Sequence, residues 1–599
     1  MSWKKALVLV TIGLLIALLS VAWWVSRYDF NRLKPLAVEE VRAATGRKMT
    51  IAGDLHLKIG LSPTLVAGPV TLGNARWGSQ PDMLTVQRLE LQISLPALFS
   101  KKVVVKRLVL TKPVVLVEES ADGRRSNWQF ETPPGQSPSA SATGPGGYQV
   151  LFRKVDIQSG ALLFRNRKTG ATPRLAITRL TLERQAGNLP LKMALEATYE
   201  RRRFSLAGGI GSLEDLFDAG KDWPFDLAVK ADQTNLSVAG RLHLPPGEKP
   251  LRLQADITGS RLDVRPWLTN SPKKDTPPKN SQRVFSKAPL PFGALRNMDL
   301  QVELDIQELL SPRIALKGLK GPIRIQDGRL DVGPARATAG GGDYQTHLQI
   351  DAHVKPARIK TSLKIDQMNA ELMLKELGLQ DIMEGVLDIQ AELESRGDTV
   401  AELMGRLNGH VMLVSGKGRL GKLFFGLFDQ GLARQMITLL NPLQKRSATT
   451  PIDCLVIRFD STNGLAQLSR SIWVTPDSIV VGGGHINLGT EQIDIGIQPT
   501  PRRGRISLGA LTKPFRLGGT LASPALRIDT TATVITIGQI AGGLLFGPLG
   551  IAVAFSDIVG TEGGNPCVAA VAAAEKGVVP QEKGVLEKLE DKLRFWRNE

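Results

Sequence analysis

The chain has 599 residues, of which 42% are hydrophobic, 22% charged and only 5% aromatic. That length exceeds one compact core, and that apolar content excludes disorder throughout. The formal net charge of +19 asks for an anionic partner. The basic residues fall in scattered groups such as Arg201-Arg202-Arg203 with no aromatic runs between them, so we expect no nucleic acid and instead an anionic membrane surface.

Residues 6–25 are uncharged, follow Lys4 and Lys5, and end beside Trp23 and Trp24. A helix of that length spans about 30 Å, the thickness of a bilayer's hydrocarbon core. Two readings fit. A retained anchor over 1–28 would leave the N-terminus cytoplasmic and export the rest. A signal peptide cleaved after Ser20-Val21-Ala22 would export it as well. The tryptophans favour the anchor.

Residues 31–44 read as a helix, with Leu33, Leu36, Ala37, Val41 and Ala44 on one face and Gly46 as its stop. From Met49 the period changes to two. Leu89, Leu91, Ile93 and Leu95 alternate with polar residues, as do Leu251, Leu253, Ala255 and Ile257. The pattern recurs at Leu300, Val302, Leu304 and Ile306, at Leu348, Ile350, Ala352 and Val354, and at Ile493, Ile495 and Ile497. Each segment predicts a strand with one apolar and one polar face. Asp122-Gly123, Asp327-Gly328 and Asn463-Gly464 predict turns. Within the β region helices are few, the best at 214–217, 368–377 and 421–440.

Two stretches break the pattern. Residues 132–147 (TPPGQSPSASATGPGG) predict a flexible loop, and the Pro/Lys-rich residues 269–291 a linker between β modules at 29–268 and 292–529. Residues 530–574 begin with an uncharged Gly-rich run that suits membrane docking or plugging of the β structure better than a second span. Residues 575–599 place Leu586, Leu589, Leu593 and Trp596 on one face of an amphipathic helix.

No chemistry stands out. Residues 416–421 (GKGRLG) match GxGxxG, but no acidic residue follows about twenty positions on. The glycines are expected to turn the chain into a helix. The glycine runs 340–342 and 482–484 predict tight connections or strand edges. No histidine has metal or protease spacing, so we expect no catalytic residue, no metal and no cofactor. Cys454 and Cys567 are the two cysteines. They are open to two readings, separate buried thiols or a disulfide stabilising by about 4–5 kcal/mol in the chain-entropy model.

The run Asp29-Phe30-Asn31, followed by VEEVRAATGRKMTIAGDLHLKIG at 38–60, resembles the opening of the AsmA family. So do VAGPVTLGNARWG at 66–78 and residues 84–128, above all ADGRRSNW ending at Trp128. Residues 407–421, 453–464, 514–529 and 542–567 are similar to its C-terminal region. The resemblance implies a single-span inner-membrane protein with a periplasmic β-groove, associated with outer-membrane assembly and phospholipid movement between membranes. It implies no catalytic residues. The exported length is short for crossing the periplasm alone, which asks for an oligomer, a partner or a shorter task; the oligomeric state stays open.

Periodicity alone favours a sandwich or barrel whose sheets cover each other. With the resemblance, the expected fold is mainly β: an elongated, curved, antiparallel-rich sheet forming a hydrophobic groove, with an N-terminal transmembrane helix and a few short helices. The groove is expected to be lined by Leu89, Leu91, Ile93, Leu251, Leu253, Ile257, Leu300, Val302, Leu304, Leu348, Ile350, Ile493, Ile495 and Ile497, with phospholipids as partners. The rival function is a structural or chaperone-like scaffold that binds other envelope proteins without transferring lipid. An enzyme is the least supported class.

Overall fold

The structure is a computed structural model that describes residues 29–58, 62–94, 102–120, 126–128, 130, 143–144, 148–166, 172–185, 189–216, 221–244, 250–268, 283–421, 449–476, 478–501 and 515–528. The expected anchor at 1–28, the turn at 122–123, all but Gly421 of the helix at 421–440, and the segments 530–574 and 575–599 lie outside the described residues. Among the described residues no helix is long and apolar enough to cross a membrane. The chain divides into two compact units, Met1–Gly247 and Glu248–Glu599, and each is mainly β. Residues 269–291 fall inside the second unit.

The first helix begins as a 3-10 turn, Phe30–Leu33, and continues as α1, Lys34–Thr45. The Asp29 carboxylate accepts from the Asn31 amide, and the Gly46 amide donates to the Arg42 carbonyl at the far end. Leu36 departs from the expected buried face and is 61% exposed.

The first unit opens with β1 (Met49–Ile51), β2 (His56–Lys58), β3 (Thr64–Ala67), β4 (Val70–Gly73), β5 (Asp82–Val86), β6 (Arg88–Ile93), β7 (Lys102–Thr111) and β8 (Val114–Glu119). β7 and β8 are two arms of one run. Between them Lys112 takes φ 49° and Pro113 has no N–H for a ladder, so the run bends. One arm pairs with β6, which carries β3 and β2; the other pairs with β5, which carries β4 and β1. This fold-back buries Leu55, Ala67, Val70 and Val86 in a small closed core.

β9 (Thr143–Gly144) and β10 (Tyr148–Phe152) precede β11 (Lys154–Asn166), which runs parallel to both arms. An antiparallel meander follows: β12 (Arg174–Arg184), β13 (Leu191–Tyr199), β14 (Arg202–Ile210), the short helix α2 (Leu213–Leu216), β15 (Asp222–Ala231) and β16 (Thr234–His243).

The ADGRRSNW segment acquires a structural reason here. Asn127 is fully buried; its Oδ1 accepts from the Glu118 amide, and its Nδ2 donates to the Leu116 carbonyl and Asn74 Oδ1. The buried Glu118 carboxylate accepts in turn from Asn74, from the Ser79 hydroxyl and from the Ser79 amide. Burial opposes its ionised form, but these donors and the nearby Arg165 outweigh that and hold the carboxyl below its usual range.

The second unit repeats the design. β17 (Leu251–Asp263), the single turn α3 (Arg265–Leu268) and β18 (Met298–Leu310) come first, with β17 and β18 parallel. Then β19 (Ala315–Gln326), β20 (Arg329–Ala339), β21 (Gly342–Asp351), β22 (Arg358–Asn369), α4 (Ala370–Glu376), β23 (Met383–Arg396), α5 (Val400–Gly405) and β24 (Asn408–Leu420) follow antiparallel. β24 pairs with β25 (Thr450–Ile452) and β26 (Cys454–Thr462), and the meander ends in β27 (Leu465–Val474), β28 (Ser478–Asn487), β29 (Gln492–Pro501), β30 (Phe515–Thr520) and β31 (Ser523–Ile528).

Parallel neighbours need a long crossover connection. That accounts for both low-complexity stretches: 132–147 lies between β8 and its parallel partner β11, and 269–291 between β17 and β18. The hairpins at Asp327-Gly328 (φ 49° and 76°) and Asn463-Gly464 (φ 49° and 78°) take the left-handed pair that a two-residue turn requires.

Three local expectations change. Residues 416–418 stay within β24 as a bulge opposite β23 rather than turning into a helix. β21 ends at Asp351, so Ala352 and Val354 lie beyond it, and Val354 is 44% exposed. Gly482–Gly484 sit inside β28, whereas Gly340-Gly341 form the expected tight connection.

Residues 283–297 lie as a strap across strand ends of the second unit. The Val284 and Phe285 amides donate to the Glu491 carboxylate at 2.6 and 3.1 Å, and Arg283 pairs with it at 3.3 Å. Farther along, the Ala401 amide donates to the Ser286 carbonyl, the Leu290 amide to the Asp398 carbonyl, and Arg296 to the Ala352 carbonyl. Glu491 is only 1% exposed. Burial opposes its charge, yet the two amides and Arg283 prevail and hold the carboxyl below its usual range. The strap's hold is therefore complete above the ordinary glutamate range and is lost as pH falls through the lowered native value. Hydrogen exchange at Val284 and Phe285, corrected for intrinsic rates, should show protection at about pH 7 that disappears only below about pH 4. Glu491→Gln should weaken that protection at neutral pH; unchanged protection would contradict the assignment.

Candidate apolar face

Strand alternation becomes a site only if register aligns the apolar positions of neighbouring strands, and it does. In the first unit Leu57 pairs with Leu65, Leu65 with Leu91, Leu91 with Leu108, Leu108 with Val155 and Val155 with Leu182. Beside it runs a second row, Leu89, Leu110, Ile157, Leu180, Leu195 and Leu206, continuing to Val229 and Leu236. Each is a cross-strand ladder of aliphatic side chains on one face of one sheet.

The second unit has the same ladders. Leu253, Leu300, Ile325, Leu330, Ile350 and Ile359 form one row, and Ala255, Val302, Ile323, Val332 and Leu348 the next. Ile257 pairs with Leu304. Farther along, Ala391, Val411, Phe459 and Leu468 continue the face, and Ile495 joins it through Gly484. Ile493 pairs with Ile486, and Ile497 with Phe515.

The reverse face is charged. Lys320 pairs with Asp305 at 2.9 Å, Arg324 with Glu303 at 3.4 Å and Arg329 with Asp351 at 3.3 Å. Such exposed pairs add little stability. Their effect is on register, because a one-residue slip would bring a whole row of charges to the apolar side.

Most of the apolar rows are neither sealed nor bare. Leu91, Leu108, Leu182, Leu253, Leu300, Leu304, Leu348 and Ile350 are all half-buried, Leu251 at the strand end is exposed, and Val302 and Ile495 are buried. Ile93 is half-buried at the end of β6. Cover exists in places. The closed core of the first unit reaches Leu89 and Leu110. In the second unit α4 lays Met373, Leu374 and Leu377 over Leu363, Ile365, Leu387, Ile389 and Leu413. The Asn369 side chain caps α4 by accepting from the Leu372 amide, and burial pushes the Tyr344 phenol beneath it upward.

The family model described as the AsmA family matches residues 1–171 and 268–470. The chain belongs to the AsmA family. It is 18% identical to the AsmA family protein YhjG of Escherichia coli (strain K12), over 87% of this chain and 92% of that protein. No solved structure matches. The matched AsmA segments include the strands that carry Leu89, Leu91, Leu300, Val302, Leu304, Leu348 and Ile350.

Sequence reading missed most of the row members, such as Leu57, Leu110, Ile157 and Leu180. Their strands alternate like the others, and the signal was there to be extended. Of the two cysteines, Cys454 is buried and disulfide-bonded, and Cys567 lies outside the described residues. Among the described residues no group of three or more His, Cys, Asp or Glu side chains is placed to hold a metal.

An open face predicts reactive positions in the folded chain. Leu304→Cys and Leu348→Cys should label with a maleimide within about tenfold of an unfolded control, while Val302→Cys should lag well beyond that. Equal protection at all three would mean that the rows are sealed.

Proposed function

We propose that the apolar face is a track for the acyl chains of phospholipids, and that this AsmA-family protein moves lipid between envelope membranes or holds it for outer-membrane assembly. The observation that carries the proposal is the pair of half-buried aliphatic ladders in each unit. Apolar area left in water costs about 25 cal/mol per Å², and a row of leucines at strand spacing offers an acyl chain continuous cover along its length. Family membership supports an envelope setting. The proposed topology is a single span at residues 6–25 of the inner membrane, with a cytoplasmic N-terminus and the strands in the periplasm. The basic excess of +19 would favour anionic headgroups at the membrane surface. The activity is binding and transfer, with no bond made or broken. The alternative, a scaffold or chaperone for envelope proteins, would use the same face for extended polypeptide.

Native mass spectrometry and lipid extraction of the purified full chain test this. Phospholipid should co-purify, and the double variant Leu304→Glu/Leu348→Glu should lose about tenfold or more of it, because a carboxylate is expensive to bury beside hydrocarbon. The same loss should appear in lipid transfer between vesicles. Absence of bound lipid together with absence of transfer would overturn the proposal, and recovery of polypeptide instead would favour the scaffold.

A further inference from the structure

One patch of the second unit breaks the rule of one apolar and one polar face. On β24, Val411 and Leu413 belong to the apolar rows, so Met412 and Val414 point the other way. β23 there presents Gln390 and Asp388 to them. Yet Met412, Cys454, Val456, Ile472 and Val474 form a buried cluster, with Val414, Ile479 and Val481 packed against it. Val456 is 0% and Val474 1% exposed. The register ties them into one surface: Val414 pairs with Val456, Val456 with Ile472, Ile472 with Val481, and Cys454 with Val474. At one end it stops at Arg458, whose guanidinium is bound to Asp460. A single sheet cannot bury both of its own faces, so a further segment must cover this one.

Cys454 lies in the end row of this patch, opposite Val474, and is disulfide-bonded. The chain's only other cysteine is Cys567. We infer that the reverse face of β24 and β26–β28 is the docking site of the chain's own residues 530–574, clamped there by a Cys454–Cys567 disulfide. The chemistry fits. Residues 530–556 carry no charge, matching an aliphatic patch with a polar border. The last described strand, β31, ends at Ile528, so the segment follows directly. Forming the bond removes two protons and passes two electrons to an external protein disulfide, which becomes a dithiol; this requires an oxidising compartment. The consequence is that residues 530–574 serve as a second cover for the sheet, not as a second membrane span. The inference is independent of the lipid track, which uses the opposite face.

Two measurements on the oxidised full chain test it. A non-reducing digest should yield one peptide pair joining Cys454 to Cys567. A photo-reactive residue in place of Val481 should cross-link within residues 530–574, and Cys567→Ser should raise hydrogen exchange in β26–β28 about tenfold. Cross-links to residues 422–448, to lipid or to a second copy, or Cys454 joined to another molecule, would overturn it. Lipid capture by the apolar rows would survive that result.

Discussion

Everything in this fold follows from aliphatic side chains that are aligned across strands but not fully covered. Each half-buried leucine in the rows leaves apolar area in contact with water, at about 25 cal/mol per Å². A globular protein removes that cost by stacking a second layer. Among the described residues such cover lies over the apolar rows where the β7–β8 bend closes the first unit's core and where α4 lies on the second unit's face. Between those covers the rows stay accessible, and the charged ladders on the reverse side prevent the strands from slipping to hide them. Stability and the proposed lipid track thus draw on one set of residues.

Much of this was legible in the sequence because strand period and turn chemistry are local. Leu251 to Ile257 and Leu300 to Ile306 alternate, and Asp327-Gly328 and Asn463-Gly464 carry the left-handed turn signal. What could not be read is which strands become neighbours. Nothing in β17 or β18 announces that they pair in parallel across the intervening residues. Residues 416–418 look like a turn because glycines permit one; the pairing of β23 with β24 keeps them extended as a bulge. Val354 continued a sequence pattern that the strand itself abandons at Asp351.

The doubly buried patch had a signal that alternation conceals. Leu455-Val456-Ile457 and Ile479-Val480-Val481 are uninterrupted apolar runs, the mark of a strand covered on both faces. In β17, β18 and β21 every second residue is polar instead. The contrast divides the second unit into strands with a charged reverse face and strands with an apolar one, and the cysteine falls among the latter. The buried Glu491 is equally invisible from composition: it becomes an anchor only because the strap brings two amides and a guanidinium to it.

The most direct test of the account is what touches the apolar rows in the native membrane. Photo-reactive residues placed at Leu304 and Leu348, and on the reverse face at Gln301 and Gln349, would be irradiated in intact envelopes and their adducts identified by mass spectrometry. The account predicts phospholipid adducts at Leu304 and Leu348 and none at Gln301 and Gln349. Adducts to the chain's own strands at Leu304 and Leu348, or equal lipid capture on both faces, would contradict it.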